Sequence, residues 1–258
     1  MVFLLLCMLL LTGCASPPTA ESALDSLAAR IQEQYSIEIP LGEDAARAEP
    51  WDYQLTPEED EIVFSDRLQT LEQQLKNYPA GMLKEISRDC GGLRICLVKE
   101  ITGREENRGL RSAGGLQWRD SDGFCRIAIA HTQEYTLYHE LCHMIEDFLA
   151  PRSSAWEGWE KLNPPDFQYD YDYAKNRDRD GSLWLQPRNR AFIDTYSMSF
   201  PREDRARIME YAMTEGNKDL FTSPIMQEKL TLLSLGIREV FGLTDSSRVF
   251  VWEQYLEK

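Results

Sequence analysis

Apolar residues recur at helical spacing in four long stretches. Leu24, Leu27, Ala28 and Ile31 predict a helix over about 20–34, and Leu68, Leu71 and Leu75 predict one running to about Asn77. Leu137, Leu141, Met144, Ile145 and Phe148 make an apolar stripe on a third. Ile225, Leu230, Leu233, Ile237, Val240 and Phe241 line a fourth, opened by Ser223-Pro224 and stopped near Gly242. Boundary residues add to this. Thr56-Pro57-Glu58-Glu59 reads as a helix start with the threonine as cap, and Pro79 opens a short helix through Met82, Leu83 and Ile86. Ser199 as cap, Pro201 in the first turn and early Glu203 and Asp204 predict a helix reaching about Gly216, and Pro151 stops the third helix. Strands are expected at 94–101 (RICLVKEI) and 126–130 (RIAIA), with shorter ones at 36–39 and near 115–118. Residues 42–55 and 103–115 read as loops, 120–123 as a turn, and 248–258 is open between strand and helix. Strands confined to the first half, then a run of helices, give an α+β fold. Its α/β part is expected over about 21–150 and its mainly helical part over about 151–258. There is no internal repeat, low-complexity run or phosphate-binding glycine loop.

Composition narrows the class. The 258 residues suffice for a real core, and 43% hydrophobic with 28% charged residues is the balance of a globular chain. A net charge of −15 argues against a nucleic-acid partner, which selects basic surfaces. Residues 2–11 are almost all apolar, too short to span a bilayer and suited to the core of a secretory signal. They end in Leu11-Thr12-Gly13-Cys14, which resembles a bacterial lipobox. That resemblance implies a signal peptide over 1–13, lipidation of Cys14, and a tether over 14–20 to a membrane. Ala15 and Ser16 after the cysteine point, by likeness to Gram-negative lipoproteins, to the outer membrane, facing the periplasm or the cell surface. In such an oxidising compartment Cys90, Cys96, Cys125 and Cys142 are candidate disulfide partners. Three connectivities exist, of which Cys90–Cys96 around Gly91-Gly92, with Cys125–Cys142, is the easiest to picture.

The chemistry sits in the third helix, within YHELCHMIED at 138–147. His139 and His143, four apart on a helix, stand one turn above the other on one face and can aim at one metal ion. Glu140 projects about 100° further round, toward a water rather than the metal. Two imidazoles, a carboxylate base and an open position are the parts of a zinc hydrolase. The plainer alternative is an amphipathic helix with two satisfied histidines. Catalytic zinc needs a third protein ligand. No third histidine follows closely, so the candidates are carboxylates: Glu146 and Asp147 on the same helix, and Glu157, Glu160, Asp166 and Glu203 beyond it. Glu146 suits orientation of a histidine better than ligation. Cys142, one turn from His139, reads as a structural cysteine ahead of a zinc thiolate, and His131 as a loop or core residue ahead of a ligand or substrate contact.

HELCHMIED, followed at distance by YSMSFPREDRA (196–206), resembles the anthrax lethal factor–like branch of gluzincin metallopeptidases. It is more similar to a group of bacterial lipoproteins classed as zinc-binding metallopeptidases, which also carry a segment like Trp159-Glu160-Lys161-Leu162-Asn163-Pro164. The resemblance covers about 79–241. It implies a zincin-like fold, a small sheet packed on the HExxH helix with a helical C-terminal lobe, with Glu203 as third zinc ligand and Tyr196 facing the zinc water. Arg205 and Arg207 depart from it, since apolar and acidic residues are more usual there. The expected activity is a membrane-anchored zinc endopeptidase with Glu140 and Tyr196 catalytic, His139, His143 and Glu203 binding Zn²⁺, and a peptide or protein as substrate. The alternative is a non-catalytic zinc-binding envelope lipoprotein. The strand at 126–130 is the candidate cleft rim for an extended substrate. The aromatic segment from Trp156 to Tyr173 reads as a packed lobe ahead of a substrate subsite. Asn176, Asp178 and Asp180 alternate like a calcium loop, but Pro187 stands where the closing glutamate belongs, so a polar turn is the default.

Overall fold

The computed structural model describes residues 23–46, 50, 52–104, 112–131, 135–173, 175 and 179–257. The expected signal peptide, Cys14, the tether, and Asn176 and Asp178 of the calcium-loop reading lie outside the described residues. The first half holds helices α1 (Ala23–Tyr35), α2 (Glu43–Ala46), α3 (Glu61–Leu75) and α4 (Ala80–Asp89), with strands β1 (Tyr53–Pro57), β2 (Leu93–Gly103), β3 (Gly115–Arg119) and β4 (Cys125–Ala130). After it come α5 (Thr136–Leu149), α6 (Ser182–Leu185), α7 (Pro201–Ala212) and α8 (Pro224–Val240), joined by irregular chain and short 3-10 turns. The molecule is a mixed α+β fold with one four-stranded sheet.

The strands lie in the order β1-β2-β4-β3. The central pair β2 and β4 is parallel, from Leu93 opposite Cys125 to Val98 opposite Ala130, and both outer pairs are antiparallel. Alternation in the central strands divides the core, because successive side chains take opposite faces. Leu93, Ile95, Leu97, Ile127 and Ile129 join the main core with α1, α3, α4, α5, α7 and α8. Cys96, Val98, Ala128 and Ala130 face a smaller cluster with Leu55, α2 and the outer residues Leu116 and Trp118. Buried Arg67 on α3 donates to the carbonyls of Val98 (2.8 Å) and Ile129 (2.7 Å), joining the ends of the two parallel strands.

Several sequence expectations are corrected. The strand expected at 36–39 is a single bridge, Glu38 with Arg94. Thr56-Pro57 ends β1 instead of opening a helix. The register shifts there, and β1 is an edge strand, where a residue without an N–H is tolerated. The cap of α3 is Asp60, which accepts from the amides of Ile62 (2.9 Å) and Val63 (3.2 Å). Ser199 does not cap α7: its hydroxyl donates to the Tyr196 carbonyl at 2.6 Å, and extended Phe200 holds the cap position. Ser223 does cap α8, accepting from Met226 at 3.2 Å. The strand at 126–130 is interior, so the edge beside α5, unpaired among the described residues, belongs to β3.

Candidate metal centre

α5 follows β4 after a short connection and buries its apolar stripe: Leu137, Leu141, Met144 and Ile145 are all in the main core. His139, Glu140 and His143 are buried too, and they meet α7, which packs along α5. Among the described residues, His139, His143 and Glu203 offer ligand atoms that all lie within 4.8 Å of one another. The Glu203 Oε2 atom is 3.0 Å from Nε2 of His139 and 3.6 Å from Nε2 of His143. Neither Cys142 nor His131 belongs to this set. Cys142 is buried in the main core, and burial raises its thiol well above the ordinary range. His131 lies 3.0 Å from Glu58 through Nδ1.

Charge distribution fits a cation between these groups. Burial opposes charge on Glu203, yet the two imidazoles hold its carboxyl well below the usual range. Burial likewise opposes charge on His139, but Glu203 and Glu210 overcome it and push the imidazole up to about 10. A proton on Nε2 therefore occupies the place where a metal would neutralise Glu203. Two nitrogens and a carboxylate oxygen are a donor set that zinc accepts. His139 is already arranged for it: its Nδ1 faces the Glu210 carboxylate at 3.3 Å, so the ring proton can stay on that side and leave Nε2 a lone pair. His143 needs an adjustment. Arg202 Nε donates to its Nδ1 at 3.0 Å, and a ring that accepts there carries its proton on Nε2. Ligation through Nε2 would move the proton to Nδ1 and end the Arg202 hydrogen bond there, leaving the guanidinium its bonds to Asp147 (2.8 Å) and Gln117 (2.9 Å).

Glu140 lies beside the triad and against β3. A Cβ on Gly115 would come within 2.8 Å of Glu140 Oε1 and 2.3 Å of Thr136 Cγ2, so only glycine lets the start of the edge strand approach the carboxylate this closely. Burial raises the Glu140 carboxyl above the ordinary range, against the opposing pull of the two histidines. Tyr196 stands next to His139, with ring centroids 6.1 Å apart, and is 37% exposed. Burial of its hydroxyl end and the nearby carboxylates of Glu203 and Glu140 raise its phenol.

Four residues of the site escape sequence reasoning. Tyr173 donates to Glu203 Oε1 at 2.8 Å and stacks on Tyr196 at 5.9 Å. Arg202, Gly115 and Glu210 are the others. Only Glu210 left a signal: it lies seven residues after Glu203, two turns along the same helix face. It also accounts for the unusual Arg207, whose guanidinium donates to Glu210 (2.6 Å) and Asp194 (2.5 Å) and so holds the acid behind His139. Glu146 does not orient a histidine as expected; it pairs with Arg205 at 2.5 Å, so the second departure from the resemblance has its own counter-ion. The aromatic segment divides. Trp156, Trp159, Phe167 and Tyr169 are buried, as a packed lobe should be, while Tyr171 and Tyr173 are exposed. A separate cleft of about 1060 Å³, lined by Glu38, Asp44, Arg94, Trp118, Asp120 and Arg126 among others, lies toward the other face of the sheet.

No protein-family model and no curated protein sequence matches the chain. Among solved structures it is similar to one from Bacteroides caccae named "putative zinc-binding metallo-peptidase", at 15% identity and a TM-score of 0.49, with 91% of this chain and 95% of that one covered.

Proposed function

We propose that the chain is a zinc-dependent metallopeptidase of the gluzincin type, with a zincin-like fold, tethered to the cell envelope through lipidated Cys14. The observation that carries this reading is the convergence of His139, His143 and Glu203 beside the buried, unligated Glu140. Zinc held by the triad would supply a Lewis acid that brings the pKa of a water toward about 7 and polarises a carbonyl. Glu140 takes the proton of the attacking water on its carboxylate and passes it to the leaving amine. Its burial suits that work, since a raised pKa brings a carboxylate nearer the operating pH. Tyr196 donates its hydroxyl proton in a hydrogen bond to the developing oxyanion. An extended peptide pairs with the free edge of β3, with its reacting carbonyl brought to the Gly115 end, where backbone and Glu140 are in contact. Three ligands, with no further histidine or thiolate joining them among the described residues, support an open position, which a non-catalytic zinc-binding lipoprotein would not need.

The test is Glu140→Gln in a digest of a quenched-fluorescent peptide library. The unaltered chain should cleave, a chelator should stop it and zinc restore it. The variant should keep its zinc and lose at least about 100-fold in kcat. Turnover retained by the zinc-loaded variant contradicts the assignment.

A further inference from the structure

Among the described residues four cysteines are buried, and two of them flank one junction between α4, β2 and β4. Cys90 follows the last turn of α4, and Cys125 is the first residue of β4. Between α4 and β2 the chain reverses through Gly91 (φ 71°) and Gly92 (φ 138°), backbone conformations that side chains other than glycine rarely adopt. This reversal brings the Gly92 carbonyl to the Cys125 amide at 3.0 Å, and Leu93 then pairs in parallel with Cys125. The two side chains close the same junction from the main-core side, where both are buried, and Arg119 of the neighbouring strand reaches the Cys90 carbonyl at 3.5 Å. Cys96 is excluded as the partner of Cys90. It points into the cluster on the opposite face of the sheet, although it is only six residues away in sequence.

We propose that Cys90 and Cys125 are a modification site, joined as an intramolecular disulfide by exchange with a disulfide oxidant such as oxidised glutathione or a dithiol oxidase. The Cys125 thiolate attacks one sulfur of the oxidant, whose S–S bond breaks and whose other sulfur leaves as a thiolate. The Cys90 thiolate then attacks Cys125 Sγ in the mixed disulfide, forming the protein S–S bond and expelling the second sulfur of the oxidant. Two protons leave the cysteines and the oxidant takes up two electrons. The link closes a loop of about 35 residues over β2 and β3, a length at which cross-linking restricts the unfolded chain strongly. It fastens the far end of the β3–β4 hairpin, whose near end carries Gly115 against Glu140. Because the two cysteines already flank one backbone junction, oxidation braces this hairpin in the place the fold gives it.

The full chain is refolded in a buffer of reduced and oxidised glutathione, alkylated under denaturing conditions and mapped without reduction. The peptides bearing Cys90 and Cys125 should be joined and lighter by two hydrogens, while Cys96 and Cys142 are alkylated. The oxidised protein should melt about 5–10 °C above the reduced one. Cys90→Ser should remove both the link and the difference in melting, whereas Cys96→Ser should leave them. Full alkylation of Cys90 and Cys125 at every glutathione ratio, or either one found joined to a different cysteine, overturns the proposal, and this mapping needs no variant.

Discussion

α5 and α7 pack along each other and bury charge in opposite ways. α5 is an apolar helix with three polar intruders, His139, Glu140 and His143, on one side of a stripe of leucine, methionine and isoleucine. α7 buries three consecutive ionic side chains, Glu203, Asp204 and Arg205, and each is paired with a different part of the chain, Asp204 through Oδ2 while its buried Oδ1 has no partner among the described residues. Glu203 is held by His139 and Tyr173, and Arg205 by Glu146. Asp204 accepts from Trp159 (2.9 Å), Tyr169 (2.8 Å) and Lys229 (2.6 Å), with Lys229 also donating to the Ala191 carbonyl at 2.7 Å. The comparison teaches where such a site is written. α5 carries its chemistry in five neighbouring residues; α7 acquires its own from partners 25 to 64 positions away.

The sharpest way to break the contrast is Asp204→Ala. It strands a Lys229 ammonium at 0% exposure, and removing one partner of such a pair costs about 3–5 kcal/mol. Urea denaturation should register that loss, whereas replacing both partners with Leu and Met should recover most of it. A cost below about 1 kcal/mol would mean that α7 does not depend on its distant partners. Next in size are the side chains behind the two histidines. Glu210→Gln weakens the acid that fixes His139 and should lower zinc affinity about 10- to 100-fold in competition titrations. Arg202→Met acts in the other direction: it frees Nδ1 of His143 and removes a positive charge, and zinc affinity should rise about threefold. Equal and like-signed effects would contradict the geometry.

The smallest effect is the pH dependence of metal-free stability. Glu203 has a depressed pKa, so its contribution is present above the unfolded value near 4.3 and is lost as pH falls below it. His139 has a raised pKa, so its contribution is complete below the unfolded value near 6.5 and is lost as pH climbs toward about 10. Both describe one interaction, and its plateau lies between about 4.5 and 6.5. Zinc requires deprotonated ligands, so adding it should move the optimum upward. Denaturant midpoints taken every half pH unit, with and without zinc, would show the shift.

This contrast also sets how much was legible beforehand. Periodicity located α1, α3, α5 and α8, because those helices bury one face against a core and their spacing records it, and short β-prone apolar runs located β2 and β4, which are covered on both faces. Thr56-Pro57 misled because a local capping pattern cannot report that its proline lies on a sheet edge. Ser199 misled for the same reason, its hydroxyl being taken by Tyr196. His139, Glu140 and His143 were readable from spacing alone. Glu203 was one of several candidate carboxylates until the resemblance singled it out. Tyr173, Arg202 and Gly115 act through contacts made by the tertiary fold, for which no local pattern exists.

The central claim is that His139, His143 and Glu203 hold one ion and leave a position open. X-ray absorption at the zinc edge, on protein loaded with one equivalent, tests it most directly. The account predicts two imidazole nitrogens and oxygen neighbours at about 2.0–2.2 Å, with one fewer oxygen in Glu203→Ala and weaker binding. A sulfur neighbour at about 2.3 Å, or a Glu203→Ala spectrum unchanged from that of the unaltered chain, would contradict it.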